Sequence, residues 1–157
     1  MVDSREKGAR AESQAKDLLR KTTGLDWQRV PGSGALDARH GLKGDLYIPN
    51  ANNVFCVEVK HYKDDHLDSS ILTGKSPQLI DWWEQTLRES AQVGKHPMLL
   101  FKHDRSKWFM CVKSCDFVDY LDCERYIELK FNEYTVAIFK FEEWLDTYGK
   151  NTKWIVK

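Results

Sequence analysis

Hydrophobic and polar residues alternate with two different periods along this chain, and the first stretch is helical. Apolar residues recur every three or four positions between residues 4 and 21, which predicts an amphipathic helix. Gly24 stands just beyond this stretch, where a glycine commonly ends a helix. The stripe that we expect to be buried consists of Ala11, Ala15, Leu18 and Leu19.

Downstream, a period of two residues replaces the helical period and predicts strands. Leu25–Val30 alternates apolar and polar residues, and Val54–Lys60 is rich in β-branched and aromatic residues. Asp45–Ile48 precedes the second of these strands, and Asn52-Asn53 between them suits a hairpin turn. Four further strands are predicted at residues 98–102, 108–112, 126–130 and 135–139.

A second long helix is predicted from Ser76, as its N-cap, and Pro77, as its first residue, to about Val93. Gly94 suits its end. Shorter helices are predicted at residues 114–120 and 142–148. This order of elements predicts an α/β fold with a mixed central sheet flanked by helices, in one domain over residues 1–157. The buried face of the long helix is expected to comprise Leu79, Trp83, Leu87 and Ala91.

Charge is balanced over the whole chain but not along it. The sequence carries 24 Lys/Arg and 24 Asp/Glu, and this balance argues against a nucleic-acid partner, because proteins that bind nucleic acids usually carry a basic patch. Residues 1–63 hold eleven basic side chains against eight acidic ones, whereas residues 64–157 hold thirteen against sixteen. The asymmetry is compatible with one DNA-facing surface in the N-terminal half.

The sequence contains no signal for a membrane or for export. No apolar run approaches the roughly 20 residues that cross a bilayer, and the charged N-terminus lacks the apolar core of a signal peptide. We therefore expect a cytoplasmic protein without a membrane partner. Its four cysteines are expected to be reduced thiols.

Three charged residues of the predicted hairpin carry the candidate chemistry. Asp45 lies on its first strand, and Glu58 and Lys60 lie on its second. Because side chains alternate along a strand, Glu58 and Lys60 share one face, opposite the apolar residues of that strand. The hairpin then lays Asp45 beside them.

This set suits a hard divalent cation and a phosphodiester. Asp45, Glu58 and the Val59 backbone carbonyl can supply the oxygen ligands that Mg²⁺ prefers. Lys60 can then orient or deprotonate the attacking water, or offset charge on the phosphate. The alternative is that Glu58 and Lys60 form an ordinary ion pair on a solvated face. The strongly apolar character of the rest of the strand favours the first interpretation.

Two flanking features each allow more than one interpretation. Glu12 lies at the margin of the first helix's buried stripe, where an unpaired charge is costly. It either points into the site as a third acid that holds a water, or extends from the edge of the stripe into solvent, or pairs with Lys16 one turn away. Arg29 precedes a glycine-rich turn at residues 31–34, which either approaches a phosphate closely or is a plain surface turn.

Four segments of the chain occur in a characteristic order. They are Lys7-Gly8-Ala9-Arg10-Ala11-Glu12, Arg29-x-x-Gly32-Ser33-Gly34, Gly44-Asp45 and Glu58-Val59-Lys60. This order resembles the archaeal-type Holliday junction resolvases (Hjc), which are PD-(D/E)xK nucleases, and the likeness covers roughly residues 5–115. Two features depart from the family pattern: glycine replaces the proline before Asp45, and the loop at residues 35–43 is longer.

The resemblance implies a restriction-endonuclease-like fold, a homodimer, and cutting of four-way DNA junctions that depends on Mg²⁺, with Mn²⁺ as a substitute. It implies catalytic roles for Glu12, Asp45, Glu58 and Lys60. Arg29 and Ser33 are implied to lie near the DNA, and nearby cations are expected to contact phosphates. These cations are Lys7, Arg10, Lys43 and Lys63.

Two alternatives to a junction resolvase stay open at this point. One is another PD-(D/E)xK nuclease acting on duplex, flap or end substrates, and the other is a non-catalytic DNA-binding module with a nuclease-like fold. For the dimer interface, the sequence offers aromatic residues of which some must be core. They are Trp108, Phe109, Phe131, Phe139 and Phe141.

Overall fold

The computed structural model describes residues 4–31, 43–49, 51, 53–75, 77–116, 123–131 and 133–149. Within these ranges the helices are α1 (Ser4–Thr23), α2 (Ser70–Thr73), α3 (Gln78–Val93) and α4 (Phe141–Tyr148). The strands are β1 (Gln28–Arg29), β2 (Leu46–Tyr47), β3 (Phe55–Tyr62), β4 (His96–His103), β5 (Phe109–Lys113), β6 (Tyr126–Phe131) and β7 (Tyr134–Lys140).

The strands form one mixed sheet in the order β1-β2-β3-β4-β5-β7-β6. β3 and β4 pair in parallel, from Phe55 opposite His96 to Tyr62 opposite His103, and the other pairs are antiparallel. A parallel pair needs a crossover connection, and α3 provides it. The predicted mixed sheet flanked by helices is confirmed.

Helices cover both faces of the sheet and create two apolar clusters. On one face, α1 packs against the odd-numbered residues of β3 from Phe55 to Val59, and α4 completes the same cluster by packing on β7 and α1. On the other face, α3 buries its two tryptophans, Trp82 and Trp83, against β4, β5 and β7. β3 is therefore covered by α1 on one face and by α3 on the other. Its side chains can contact residues of both helices.

The structure changes several details of the predicted elements. α3 begins at Gln78 with Pro77 as its N-cap residue, so Pro77 is not the first helical residue, and Ser76 lies outside the described residues. Ala91 is exposed, because the buried stripe of α3 runs through Trp82, Thr86 and Ser90 instead. The first strand is shorter than predicted. Of the predicted short helix at residues 114–120, residues 114–116 form a turn and the rest lie outside the described residues.

Three of the aromatic residues considered for a dimer interface belong to the core. Trp108, Phe139 and Phe141 are each at most 4% exposed. Phe109 is half-buried, and the side chain of Phe131 lies outside the description. None of the four cysteines forms a disulfide, as predicted. Over the described ranges, the helices are too short or too polar to cross a membrane.

Candidate active site

Asp45 immediately precedes β2 and is fixed there by hydrogen bonds with β3 and with the residue that follows β1. Its backbone N–H donates to the Val57 carbonyl oxygen at 2.7 Å, and its own carbonyl accepts from the Val30 N–H at 2.9 Å. Its side chain accepts through Oδ2 from the Val59 N–H at 2.8 Å. The carboxylate is therefore held beside β3, just before the first residue of β2.

Gly44 explains why this chain has no proline before the aspartate. Gly44 has φ +84°, in the left-handed region that a proline ring cannot adopt. A Cβ atom at this position would lie 2.6 Å from the Val57 carbonyl oxygen. The glycine thus permits the close approach of the two backbones that places Asp45 against β3.

Glu58 lies beside Asp45 and is almost completely buried, with 3% of its surface exposed. Its side chain hydrogen-bonds with Asp45 and with Glu89 of α3. Burial, the hydrogen bond with Glu89 and the charges of both neighbours raise the pKa of Glu58 far above its ordinary value. Burial is also the main cause that raises the pKa of Asp45 to about 6. The two carboxylates thus crowd into a space that disfavours two negative charges.

Glu89 is a site residue that sequence reasoning missed. Burial acts to raise its pKa, but hydrogen bonds from Glu58 and Gln85 and the ammonium groups of Lys43 and Lys60 lower it below its ordinary value. Gln85 Nε2 donates to Glu89 Oε1 at 3.3 Å. The directions of these shifts place the proton on Glu58 and the negative charge on Glu89. The sequence signal that could have indicated Glu89 is its spacing of one helical turn from Gln85, on a helix whose other face packs on the sheet.

Lys60 lies on the same face as Glu58, as predicted from strand alternation. It is half-buried, and its charge acts on both Asp45 and Glu89. Lys43 also lies near Glu89. The structure therefore brings together Asp45, Glu58 and Lys60 with one further acid.

Glu12 and Arg29 meet at the margin of this cluster. The Arg29 Nε–H donates to Glu12 Oε2 at 2.8 Å, and the Glu12 side chain is 21% exposed. The charge of Glu12 contributes to the raised pKa of Asp45, after burial. Glu12 therefore lies near Asp45 and is paired with Arg29. The alternative in which Glu12 pairs with Lys16 is not what the structure shows, because Lys16 pairs with Asp17.

Residues 3–156 match the family described as "Phage putative PDDEXK endonuclease". The chain belongs to this family. The PD-(D/E)xK class of nuclease, predicted from the hairpin residues and the resemblance, is confirmed. Nucleases of this class generally use divalent metal ions.

Two individual proteins are similar to this endonuclease. Protein D14 of Escherichia phage T5 is 45% identical over 148 residues, which cover 92% of this chain and 92% of that protein. The solved structure of Archaeoglobus fulgidus Hjc, a Holliday junction resolvase from an archaeal hyperthermophile, aligns over 92% of this chain and 97% of that chain. Its sequence identity is 18% and its TM-score 0.46.

The donor set fits a divalent metal of the kind that such endonucleases use. Asp45 and Glu58 offer carboxylate oxygens, and the Val59 carbonyl faces the same side as the Val59 N–H that binds Asp45. The described residues contain no group of three or more His, Cys, Asp or Glu arranged to hold a metal. Mg²⁺ sites commonly use only one or two carboxylates, with waters and substrate phosphates completing the octahedron.

The residues expected to contact DNA divide into three groups. Lys7, Arg10 and Lys63 line one cavity beside α1, on the other face of β3 from Glu58. Lys43 lies near Glu89. Ser33 and the rest of the glycine-rich turn beyond Pro31 lie outside the described residues.

Proposed function

We propose that this endonuclease cuts four-way DNA junctions with the help of Mg²⁺, for which Mn²⁺ can substitute. The observation that carries its catalytic part is the Asp45 carboxylate, held by the Val59 N–H at 2.8 Å beside buried Glu58. A bound divalent cation would polarise the scissile phosphate and activate an attacking water. The site lies where β2 begins, alongside β3.

Each residue of the site has a distinct task in this proposal. Asp45, Glu58 and the Val59 carbonyl hold the metal, because they converge from the two strands of the hairpin. Lys60 orients the attacking water or offsets charge on the phosphate, since it shares the face of Glu58. Glu12 holds a water at the margin, and its partner Arg29 engages the phosphate through the remaining N–H groups of its planar fork.

The junction substrate and the homodimer are supported by the order of motifs from Lys7 to Lys60. A four-way junction must be cut on two symmetric strands, and one metal site cuts one strand. A two-fold dimer supplies two sites with the symmetry of the junction. We propose that residues 1–157 act as one nuclease domain in each of two subunits, in the cytoplasm where the DNA is accessible.

The test is a comparison of labelled substrates at equal concentration. A four-way junction, a flap and a linear duplex are each incubated with the protein, with Mg²⁺ or with EDTA. We expect symmetric paired cuts in the junction only when Mg²⁺ is present. If the duplex is cut as well as the junction, the enzyme is a general duplex nuclease and not a junction resolvase. If the junction is cut in EDTA, the reaction does not depend on a divalent metal.

Sedimentation at micromolar concentration tests the dimer independently. We expect a dimer, alone or on the junction. A monomer in both conditions would contradict paired resolution, while leaving the hydrolytic site intact.

A further inference from the structure

A cavity of about 470 Å³ lies on the opposite face of β3 from Glu58, between α1 and the β4–β5 turn. We call it the basic cavity and define it by Lys7, Arg10, His61, Lys63 and Asp104. Three of these side chains are cations and one is a carboxylate. An open cavity with this excess of positive charge suits an anion, and its donors suit the oxygens of a phosphate.

Asp104 already occupies the position that an anion would take. Its Oδ1 accepts from Lys7 Nζ at 2.8 Å and contacts His61 Nε2 at 2.9 Å. Both nitrogens therefore lie within hydrogen-bond distance of the same carboxylate oxygen. The carboxylate thus holds two nitrogens that point into the cavity, and Lys102 adds a further positive charge close by.

The turn that carries Asp104 is itself well ordered by hydrogen bonds. The Ser106 N–H donates to the His103 carbonyl at 3.0 Å, and the His103 N–H donates to Ser106 Oγ at 3.0 Å. Arg105 adopts φ 68°, which completes the tight reversal between β4 and β5. Asp104 is thus presented to Lys7 by a defined turn, although the two residues lie 97 positions apart.

The same two elements supply the basic cavity and the candidate active site. On α1, Arg10 lines the cavity and Glu12 faces the site. On β3, His61 lines the cavity, and its neighbour Lys60 faces Asp45 and Glu89. Consecutive Cα atoms are about 3.8 Å apart, so the two regions adjoin at the end of one strand.

We propose that the basic cavity binds a backbone phosphate of the DNA substrate next to the cut, and that Asp104 holds the cavity's donors in place until DNA displaces it. This inference rests on the proposed function, because it takes the ligand to be DNA. The phosphate replaces one carboxylate oxygen as the acceptor for Lys7 and His61. Asp104 therefore weakens DNA binding by competing with the phosphate, but it also keeps Lys7 and His61 in position for binding.

The experiment measures binding of a labelled four-way junction by fluorescence anisotropy in EDTA, from about 50 to 200 mM salt. Lys7→Gln and Arg10→Gln are expected to weaken binding several-fold at low salt and to reduce the slope of log affinity against log salt by about one each. Asp104→Asn should tighten binding, which is the result that a purely structural ion pair would not give.

The matched controls come from the Lys140–Glu143 pair, which joins β7 to α4 at 3.5 Å. Lys140→Gln and Glu143→Gln remove one partner of a similar exposed pair, and they should leave DNA affinity unchanged. Circular dichroism confirms that each variant is folded.

The outcomes separate this proposal from the proposed function. If the wild-type protein binds and cuts the junction, but the three cavity variants bind like the controls, the basic cavity is not a phosphate site and the nuclease proposal stands. If the cavity variants change binding as expected and no substrate is cut with Mg²⁺, the cavity is supported and the catalytic proposal fails. A wild-type protein that binds no DNA would overturn both.

Discussion

The two faces of β3 differ in charge and in burial. Toward α3, Glu58 is 3% exposed and lies between two other carboxylates, Asp45 and Glu89. Toward α1, the ion pair of Lys7 and Asp104 remains 27% and 45% exposed. A buried charge must be neutralised by a proton or a partner, whereas an exposed one is solvated by water. The acidic face is therefore neutralised by a proton or by a bound cation, whereas the charges of the basic face are also stabilised by water.

The largest expected effect comes from removing a carboxylate of the acidic face. Asp45→Asn should lower the single-turnover cleavage rate by at least about 10²-fold, because a preorganised charge at the reacting centre is lost. DNA affinity should change little, since the basic face supplies the phosphate contacts. Asp65→Asn, in the exposed loop after β3, is the matched control. Normal cleavage by Asp45→Asn would show that the acidic face of β3 is not the catalytic site.

Lys60→Ala should have the next largest effect and should again separate rate from affinity. A positioned proton donor or acceptor contributes about 10²-fold or more, so the single-turnover rate should fall while affinity stays within a few-fold. Lys63→Ala, on the exposed continuation of the chain, should show the reverse pattern, with weaker binding and an intact rate at saturating DNA. If both lysines affect only affinity, Lys60 belongs with the phosphate contacts.

The burial of Asp45 should make the stability of the metal-free protein depend on pH. The pKa of Asp45 is raised to about 6 from 3.8, so its protonated form is favoured in the folded state. This contribution is fully present below about pH 4 and is lost as the pH rises through 6, on the order of 2–3 kcal/mol in the free energy of unfolding.

Urea denaturation in EDTA measures this dependence as the difference between wild type and Asp45→Asn, which removes the titrating group. We expect the wild type to lose stability relative to the variant between pH 4 and 7, and to regain it when Mg²⁺ is added. A difference that stays constant over this pH range would show that burial does not raise the pKa of Asp45.

The smallest expected effect tests Glu89 as a positioning residue for Glu58. Glu89→Leu removes the hydrogen-bond acceptor and should lower activity, or raise the Mg²⁺ concentration for half-maximal activity, by about tenfold. Glu89→Gln keeps an acceptor oxygen and should recover most of this loss. Glu84→Leu, on the exposed face of α3, is the control. If Glu89→Leu and Glu89→Gln have the same activity as each other, Glu89 does not position Glu58.

Local sequence was sufficient for much of the fold and for part of the site. Glycines with positive φ end α1 and α3 where predicted, and the strand period placed Glu58 and Lys60 on one face. These features depend on backbone geometry over a few residues. The start of α3 and its buried face were partly wrong, because the stripe chosen from apolar residues alone overlooked Thr86 and Ser90, whose hydroxyl groups hydrogen-bond to the helix's own carbonyls and can be buried.

By itself, the sequence determined the identity of the hairpin acids, the alternation that pairs Glu58 with Lys60, and membership of a nuclease class. Only the tertiary structure decided that Glu89 meets Glu58 from a helix 31 positions away in the chain. It also decided that Asp104 meets Lys7, and that Arg29 meets Glu12 instead of solvent. The physical reason is the same in each case. Polar side chains on separate elements have no shared period, so their contacts are set by how the helices pack on the two faces of the sheet.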